Sequence, residues 1–215
     1  MKETMTIHKA LSELKLLDAR INDKTEALEV VVANKHSNSK IHGVSVDEFC
    51  KNAKEAYQSL RTLINRRNAI KRAVTKSNAI TTVQIGGKTY TVAEAIDMKG
   101  VGIGYLGAII GRLNSQYATA SRRADAENSD RLNDRADEYI KTLYGNSDLK
   151  NMGDEIRKQR DAFVAAQTVE IVDPISASAE ANKLQKEVDE FFSDVDSALS
   201  VSNALTTVEV EYDTL

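Results

Sequence analysis

Large aromatic residues are scarce in this 215-residue chain, which has no Trp, four Phe and seven Tyr. A hydrophobic core with so few rings must be aliphatic and thin. That suits seams between helices better than a globular enzyme with a deep pocket. The chain has only one Pro and ten Gly, the residues that most often interrupt helices and strands, so long uninterrupted elements are expected.

Cysteine and an excess of one charge are also missing. Cys50 is the only cysteine, so an intrachain disulfide is excluded and secretion gains no support. The 29 basic and 32 acidic residues nearly cancel, which gives no global case for nucleic-acid binding. The first residues lack a basic-then-apolar signal, and no apolar run approaches the ~20 residues of a membrane span. A soluble intracellular protein is the default expectation.

Apolar residues recur at helical spacing in several long segments. Residues 5–33 predict a first helix, and the polar residues 34–44 predict a loop. Ser45, with Glu48 three positions later, predicts the capped start of a second helix. Its apolar stripe steps by three and four residues, which is typical of a heptad seam, with Arg67 at the one apolar gap. The stripe comprises Val46, Phe49, Ala53, Ala56, Leu60, Leu63, Ile70 and Val74.

The second half of the chain combines glycine turns, helices and short alternating runs. Gly86-Gly87 between two β-prone runs predicts a hairpin at about 81–91, because both turn positions can take positive φ. A capping box at Thr91 and Glu94 predicts a third helix that extends to about Tyr144. Apolar spacing predicts a helix at about 148–166, with Leu149, Met152, Ile156 and Phe163. Alternating residues predict strands near 168–172 and 206–212. A last helix is predicted over 178–200, with one apolar face formed by Leu184, Val188, Phe191, Val195 and Leu199.

These patterns predict a mainly α fold with small β elements (α+β), built on long antiparallel helices that pack in coiled-coil fashion. We expect one elongated domain over residues 1–215. The segment 77–85 is repeated at 202–210, an offset of 125 residues, with six identical positions. This repeat predicts two related helix–strand units, at about 45–91 and 176–215, on either side of a helical middle section over 92–166.

The two predicted units carry opposite charge. Between Arg61 and Lys76 there are six basic residues and no acid, whereas acids are the only charged residues from Glu187 onward. Helices with these charges attract one another, within one chain or between neighbours; alternatively, both are solvated faces. The residues predicted to pair are Arg66, Arg67, Lys71 and Arg72 with Asp189, Glu190, Asp194 and Asp196.

No motif in the chain predicts catalysis, a metal or a cofactor. Residues 102–107 spell GxGxxG, but they fall inside a predicted helix rather than at a strand-to-helix turn. Small residues at a close helix contact, or a break in the helix, fit better than a dinucleotide site. The apolar stretch 100–111 also has the composition of a membrane-inserting peptide. His36 and His42 share a loop without a Cys or an acid at ligand spacing. Cys50 is expected to be a small buried residue.

Several segments resemble a virion-associated family encoded by tailed phages and prophages of Gram-positive bacteria. They are residues 10–18 (ALSELKLLD), 66–71 (RRNAIK), 85–96 (IGGKTYTVAEAI), 172–174 (VDP) and 195–199 (VDSAL). That family is similar to the bacterial septicolysin-like family, which shares the helix–hairpin–helix–strand order. The resemblance covers most of the chain, and its motifs are structural joints, so it implies helical, oligomeric subunits and no active site. The Gly-rich stretch 100–111 departs from the amphipathic helix of the bacterial relatives.

Residues and resemblance together predict a non-enzymatic structural protein of a phage head, neck or tail. Its expected partners are its own copies and other virion proteins, and it is expected in the virion and in the cytoplasm of the bacterial host during assembly. We expect no nucleic-acid partner. The alternative is a membrane-active, cytolysin-like protein that uses residues 100–111; an enzyme of unrecognised type is the third possibility.

Overall fold

The computed structural model describes residues 1–145 and 153–213. Helices dominate the described residues, and the strands form two-stranded antiparallel sheets, so the predicted mainly α fold with small β elements is confirmed. In chain order the elements are β1 (Lys2–Thr6), α1 (Ile7–Glu26), β2 (Lys40–Ile41), β3 (Val44–Ser45), α2 (Val46–Ile80), β4 (Thr82–Ile85), β5 (Lys88–Thr91), α3 (Val92–Asp97), a π-helical turn (Met98–Gly102), α4 (Ile103–Glu127), α5 (Asp130–Tyr144), α6 (Asp154–Gln167), α7 (Ala177–Leu205) and β6 (Thr207–Glu211).

The chain forms two compact units. The first unit comprises Met1–Val101 and Glu190–Leu215, and the second comprises Gly102–Asp189. Helix α7 therefore contributes its last part to the first unit and its first part to the second. The prediction of a single elongated domain stays a prediction.

The core of the first unit lies where α1 packs antiparallel to α2. Asp18 of α1 pairs with Arg67, whereas Lys24, further along α1, bonds to Ser59, nearer the start of α2. The contacts thus run in opposite directions, as predicted for long antiparallel helices. The buried cluster comprises Met5, Ile7, Ala10, Leu14, Leu17, Ala69, Ile70, Val74, Val208 and Val210.

Strand β1 was not predicted, because Met5 and its neighbours continue the helical spacing of α1. The structure instead pairs Lys2–Thr6 antiparallel with β6. Thr6 then caps α1 by accepting from the Lys9 N–H at 3.2 Å. The predicted first helix is also too long at its other end, since α1 stops at Glu26. Beyond it lie the β-branched valines 30–32, whose restricted χ1 rotamers lower helix propensity.

The predicted Gly-Gly hairpin and the capping box that follows it are confirmed. β4 pairs antiparallel with β5, and Gly86 and Gly87 take φ of 55° and 73° at the turn. The Thr91 hydroxyl accepts from the Glu94 N–H (3.1 Å), and the Glu94 carboxylate accepts from the Thr91 N–H (2.7 Å). The predicted loop over 34–44 contains part of a second, minimal hairpin, β2–β3, with positive φ at His42 and Gly43.

The predicted helix from Val92 to Tyr144 is wrong, because the structure divides it into three helices. A π-helical turn at Met98–Gly102 separates α3 from α4, and it contains two glycines that weaken helix there. A second break separates α4 from α5 at Asn128 and Ser129, whose side chains donate to the backbone carbonyls of Val169 and Ala126. Gly145, at φ +77°, ends α5, as predicted.

The predicted strand at 168–172 is also wrong. The backbone there is irregular, and the side chain of Asn128 bonds to both the N–H and the carbonyl of Val169, each at 2.8 Å. This amide occupies backbone groups of Val169 that a ladder would use. Helix α6 begins at Asp154, so Leu149 and Met152 of the predicted helix lie outside the described residues. The last helix is longer than predicted, from Ala177, capped by Asp173 at 2.8 Å, to Leu205.

Candidate assembly site

The predicted apolar stripe of α2 has a covered part and an open part. Leu60, Ile70 and Val74 are buried and Leu63 is partly buried against the core. In the first third of α2, by contrast, Phe49 is only half-buried. Helix α1 ends soon after Lys24, which lies opposite Ser59, so it does not reach the start of α2.

An open apolar groove occupies this uncovered part of α2. Its lining residues are Val30, Phe49, Cys50, Ala53, Lys54 and Tyr57. Tyr57 is 47% exposed, and Cys50 is exposed rather than buried as predicted, because no helix covers this face within the described residues. The groove thus continues the α1–α2 seam, and Val30, from the segment between α1 and β2, borders it. The His42 ring, from the turn between β2 and β3, lies near Phe49, with centroids 6.5 Å apart.

The predicted apolar stripe of α7 is buried or partly buried within the chain. In the first unit Phe191 and Val195 are buried and Leu199 is partly buried; in the second, Leu184 and Val188 are partly buried. Val195 lies 125 residues after Ile70, the offset of the repeated segment, and both side chains are 0% exposed.

Both copies of the repeated segment form the same joint between a helix and a strand. The Thr81 N–H donates to the Ser77 carbonyl at 2.8 Å, and the Thr206 N–H donates to the Ser202 carbonyl at 2.9 Å. Each bond closes the last helical turn, and the next residue begins a strand with two buried apolar side chains. The shared sequence therefore corresponds to shared local geometry.

The strand that pairs with each joint also leads into a helix in the same way. Val92, at the start of α3, donates to the Thr81 carbonyl (2.8 Å), and Ile7, at the start of α1, donates to the Thr206 carbonyl (2.9 Å). A fully buried alanine follows three positions later in both helices. β4, β5 and α3 thus correspond to β6, β1 and α1, although the second set comes from distant parts of the chain.

Arg66 connects four elements of the first unit. Its guanidinium donates to Glu3 of β1 at 2.6 Å, to Glu13 of α1 and to the Tyr212 hydroxyl just after β6. It also lies over the Tyr212 ring, 5.0 Å from the centroid. The hydrogen bond to Glu13 is the main cause that raises the pKa of Arg66 above its ordinary value, against the effect of burial, and the Glu13 and Glu3 charges add to it. Arg66 stays charged at any ordinary pH.

An aromatic contact takes the corresponding place in the other half of the repeat. Phe191 lies 125 residues after Arg66, and its ring meets Tyr90 of β5 edge-on, with centroids 5.9 Å apart. Next to it, the Gly86 N–H donates to Asp194 at 3.1 Å. A Cβ at Gly86 would contact Glu190 at 3.5 Å, so this turn lies directly against α7. The repeat thus holds one strand pair by charge and the other by aromatic packing.

Within one chain, two of the basic residues of α2 that were predicted to pair with acids of α7 have other partners. Arg66 and Arg67 pair with acids of β1 and α1, not with those of α7. Asp194 accepts from Gly86, and Asp196 pairs with Lys99. The reason is topological, because α2 packs on α1, β1 and β6, whose acids lie closer to the basic run.

The remaining predicted residues lie on the surface. Lys71 and Arg72 line a groove with Asn65, Asn68 and the last described residues 211–213. Asp189 accepts from Gln185 on its own helix at 2.8 Å, and Glu190 lies beside Gly86. Pairing of these surfaces between neighbouring copies stays a prediction.

Sequence reasoning missed Glu3, Glu13 and Tyr212, the partners of Arg66. One signal was available: an arginine-rich gap in an apolar stripe requires acids on the facing helix, and α1 carries Glu13 and Asp18. Glu3 and Tyr212 had no such signal, because they depend on the unpredicted pairing of β1 with β6.

The first unit defines an α+β class in which long antiparallel helices carry small strand pairs at their ends. No known protein family, curated protein or solved structure matches the chain. The resemblance to a virion-associated phage family therefore stays a prediction.

Proposed function

We propose that this protein is a non-enzymatic structural protein that assembles with its own copies, as a component of a phage head, neck or tail. The observation that carries the proposal is the uncovered part of the α2 seam. A heptad stripe is stable in water when a second helix covers it, and here the covering helix leaves about the first third of α2 uncovered.

The open groove fits a helical partner with an apolar stripe. Phe49, Ala53 and Tyr57 recur at steps of four, so they lie on one face of α2, and the exposed Cys50 lies beside them. A second copy of this chain presents the same stripe, and two such grooves are self-complementary, which is the usual geometry of a two-fold contact. The resemblance to virion-associated proteins supports particle assembly as the purpose of this contact.

A pair of surface substitutions tests self-association. We expect the wild-type protein to sediment as an oligomer in analytical ultracentrifugation. The double variant Phe49→Ser, Tyr57→Ser should raise the dissociation constant about tenfold or more, because it removes two apolar anchors from the contact. Leu16→Ser is the matched control, since it also removes an exposed apolar side chain of a helix, but outside the groove.

Three outcomes decide the proposal. Wild-type protein that is monomeric at every concentration contradicts self-assembly. An equal effect of Leu16→Ser removes the groove from the contact. Mass spectrometry of purified particles tests the virion assignment separately, because a structural component must be present there in stoichiometric amounts.

A membrane-active function is the second candidate, and exposed apolar residues of α4 favour it. Tyr105 is 67% exposed and Ile109 is also exposed, while nothing lies within 4 Å of a Cβ placed at Gly104 or Gly107. Among the described residues, no helix is both long and apolar enough to cross a bilayer. Leakage of dye from liposomes, abolished by Tyr105→Glu, is the result expected for this function, whereas the assembly proposal expects no leakage.

A further inference from the structure

The two corresponding strand pairs of the first unit are connected differently. β4 and β5 are joined directly by Gly86-Gly87. β1 and β6 come from distant parts of the chain and are held only by non-covalent bonds. Where they meet, Met1 and Tyr212 exchange two backbone hydrogen bonds, 2.7 and 3.1 Å long, across 211 positions of sequence.

β1 and α1 together form an arm, residues 1–26, that packs on the rest of the first unit through its own buried face. That face consists of Met5, Ile7, Ala10, Leu14 and Leu17. Charges surround it: the arm's acids meet Arg66 and Arg67 of α2, and its Lys2 meets Glu209 of β6 at 2.9 Å. The arm is therefore complementary, in shape and in charge, to the surface of the first unit on which it packs.

A long connection leads from the arm to α2. Residues 27–39 have no helix or strand, and most of them are exposed; Val31 is 86% exposed. An extended chain spans up to about 3.3–3.6 Å per residue, so this connection reaches roughly 40 Å without disturbing α1 or α2. An arm on such a connection can pack on a neighbouring molecule as well as on its own molecule.

We propose that the arm is exchanged between copies, so that β1 and α1 of one molecule pair with β6 and α2 of the next. This inference rests on the proposed self-assembly and names a contact that would build it. Exchange replaces each intrachain contact by an identical contact between chains, so it needs no new surface. At low protein concentration the arm binds its own chain, because the effective concentration of the intrachain contact is higher than the concentration of other molecules. At the high local concentration of an assembly, the same contact on a neighbouring molecule competes for the arm.

A disulfide across the strand pair tests the exchange. Thr4 and Glu209 lie directly opposite one another, and both are exposed. Alternation from the hydrogen-bonded pair Met1–Tyr212 makes Thr4–Glu209 a non-hydrogen-bonded pair, with Cα atoms ~4.5 Å apart, close enough for a disulfide. The test variant is Thr4→Cys, Glu209→Cys in a Cys50→Ser background, and Lys2→Cys, Glu211→Cys is a second pair of the same kind.

The chain supplies a matched control in its covalent hairpin. Gln84 and Thr89 occupy the positions of β4 and β5 that correspond to Glu209 and Thr4. A disulfide between Gln84→Cys and Thr89→Cys joins strands of one hairpin and stays within one chain. Each variant is oxidised at a concentration where sedimentation shows oligomers, then run on a non-reducing denaturing gel.

With exchange, the arm variants give covalent dimers or a ladder of multimers, and the control gives monomers. Oligomers in sedimentation together with only monomeric, intrachain disulfides in both arm variants overturn the exchange and leave the proposed function standing. A protein that forms no oligomer at all overturns both.

Discussion

At the scale of single residues, Arg66 donates to three side chains from different parts of the first unit. Its side chain is 22% exposed, and its one positive charge pairs with two carboxylates that approach from different elements. Without it, Glu3 and Glu13 both lose the positive charge with which they pair. The neighbouring Arg67 makes a single, more exposed pair with Asp18. The two arginines therefore differ in their expected contribution to stability, although they are adjacent in the sequence.

We predict that Arg66→Gln lowers the free energy of unfolding by about 2–4 kcal/mol, because it leaves partly buried carboxylates without their partner. Arg67→Gln is the control and should cost no more than about 1 kcal/mol, as exposed ion pairs do. Urea unfolding followed by circular dichroism gives both values. Equal losses for the two variants would show that the Arg66 contacts add no more than a surface pair.

At the scale of elements, the glycines have different roles according to their backbone conformation. Gly87 forms the hairpin turn at positive φ, where a side chain is strained. Gly107 lies within α4, where nothing is within 4 Å of an added Cβ. A helical glycine in open space contributes only backbone entropy to the unfolded state, so the folded chain has no steric need for it.

We predict that Gly87→Ala destabilises the protein by about 1–2 kcal/mol, whereas Gly107→Ala stabilises it by about 0.5–1 kcal/mol. Thermal unfolding of the two single variants measures both, and each serves as the control for the other because the substitution is the same. A destabilising Gly107→Ala would mean that a partner molecule or another state of the chain needs the bare helix surface there.

At the scale of the whole molecule, the chain forms two compact units, and the first unit joins residues 1–101 to the region after 190. The repeated segment makes this possible, because each copy ends a long helix and supplies a strand. One copy meets its partner strand across a two-residue turn, and the other meets a strand at the far end of the sequence. This arrangement is the basis of the proposed exchange of the arm between copies.

The sequence by itself determined the elements that depend on local chemistry. Helix spacing, the Gly86-Gly87 turn, the Thr91–Glu94 capping box and the end of α5 at Gly145 follow from residues that lie within a few positions of one another. The long helices α2 and α7 followed for the same reason. Where local patterns were weak or interrupted, as at Met98–Gly102 and Asn128, prediction joined helices that the structure separates.

Only the tertiary structure decided which segments meet. Lys2–Thr6 becomes a strand because β6 lies beside it, whereas the β-prone residues 168–172 have a side chain of Asn128 in place of a strand partner. Arg66 finds its acids for the same reason, and the start of α2 stays open because α1 ends too early to cover it. Pairing over long sequence distances depends on packing free energy that no local window of residues contains.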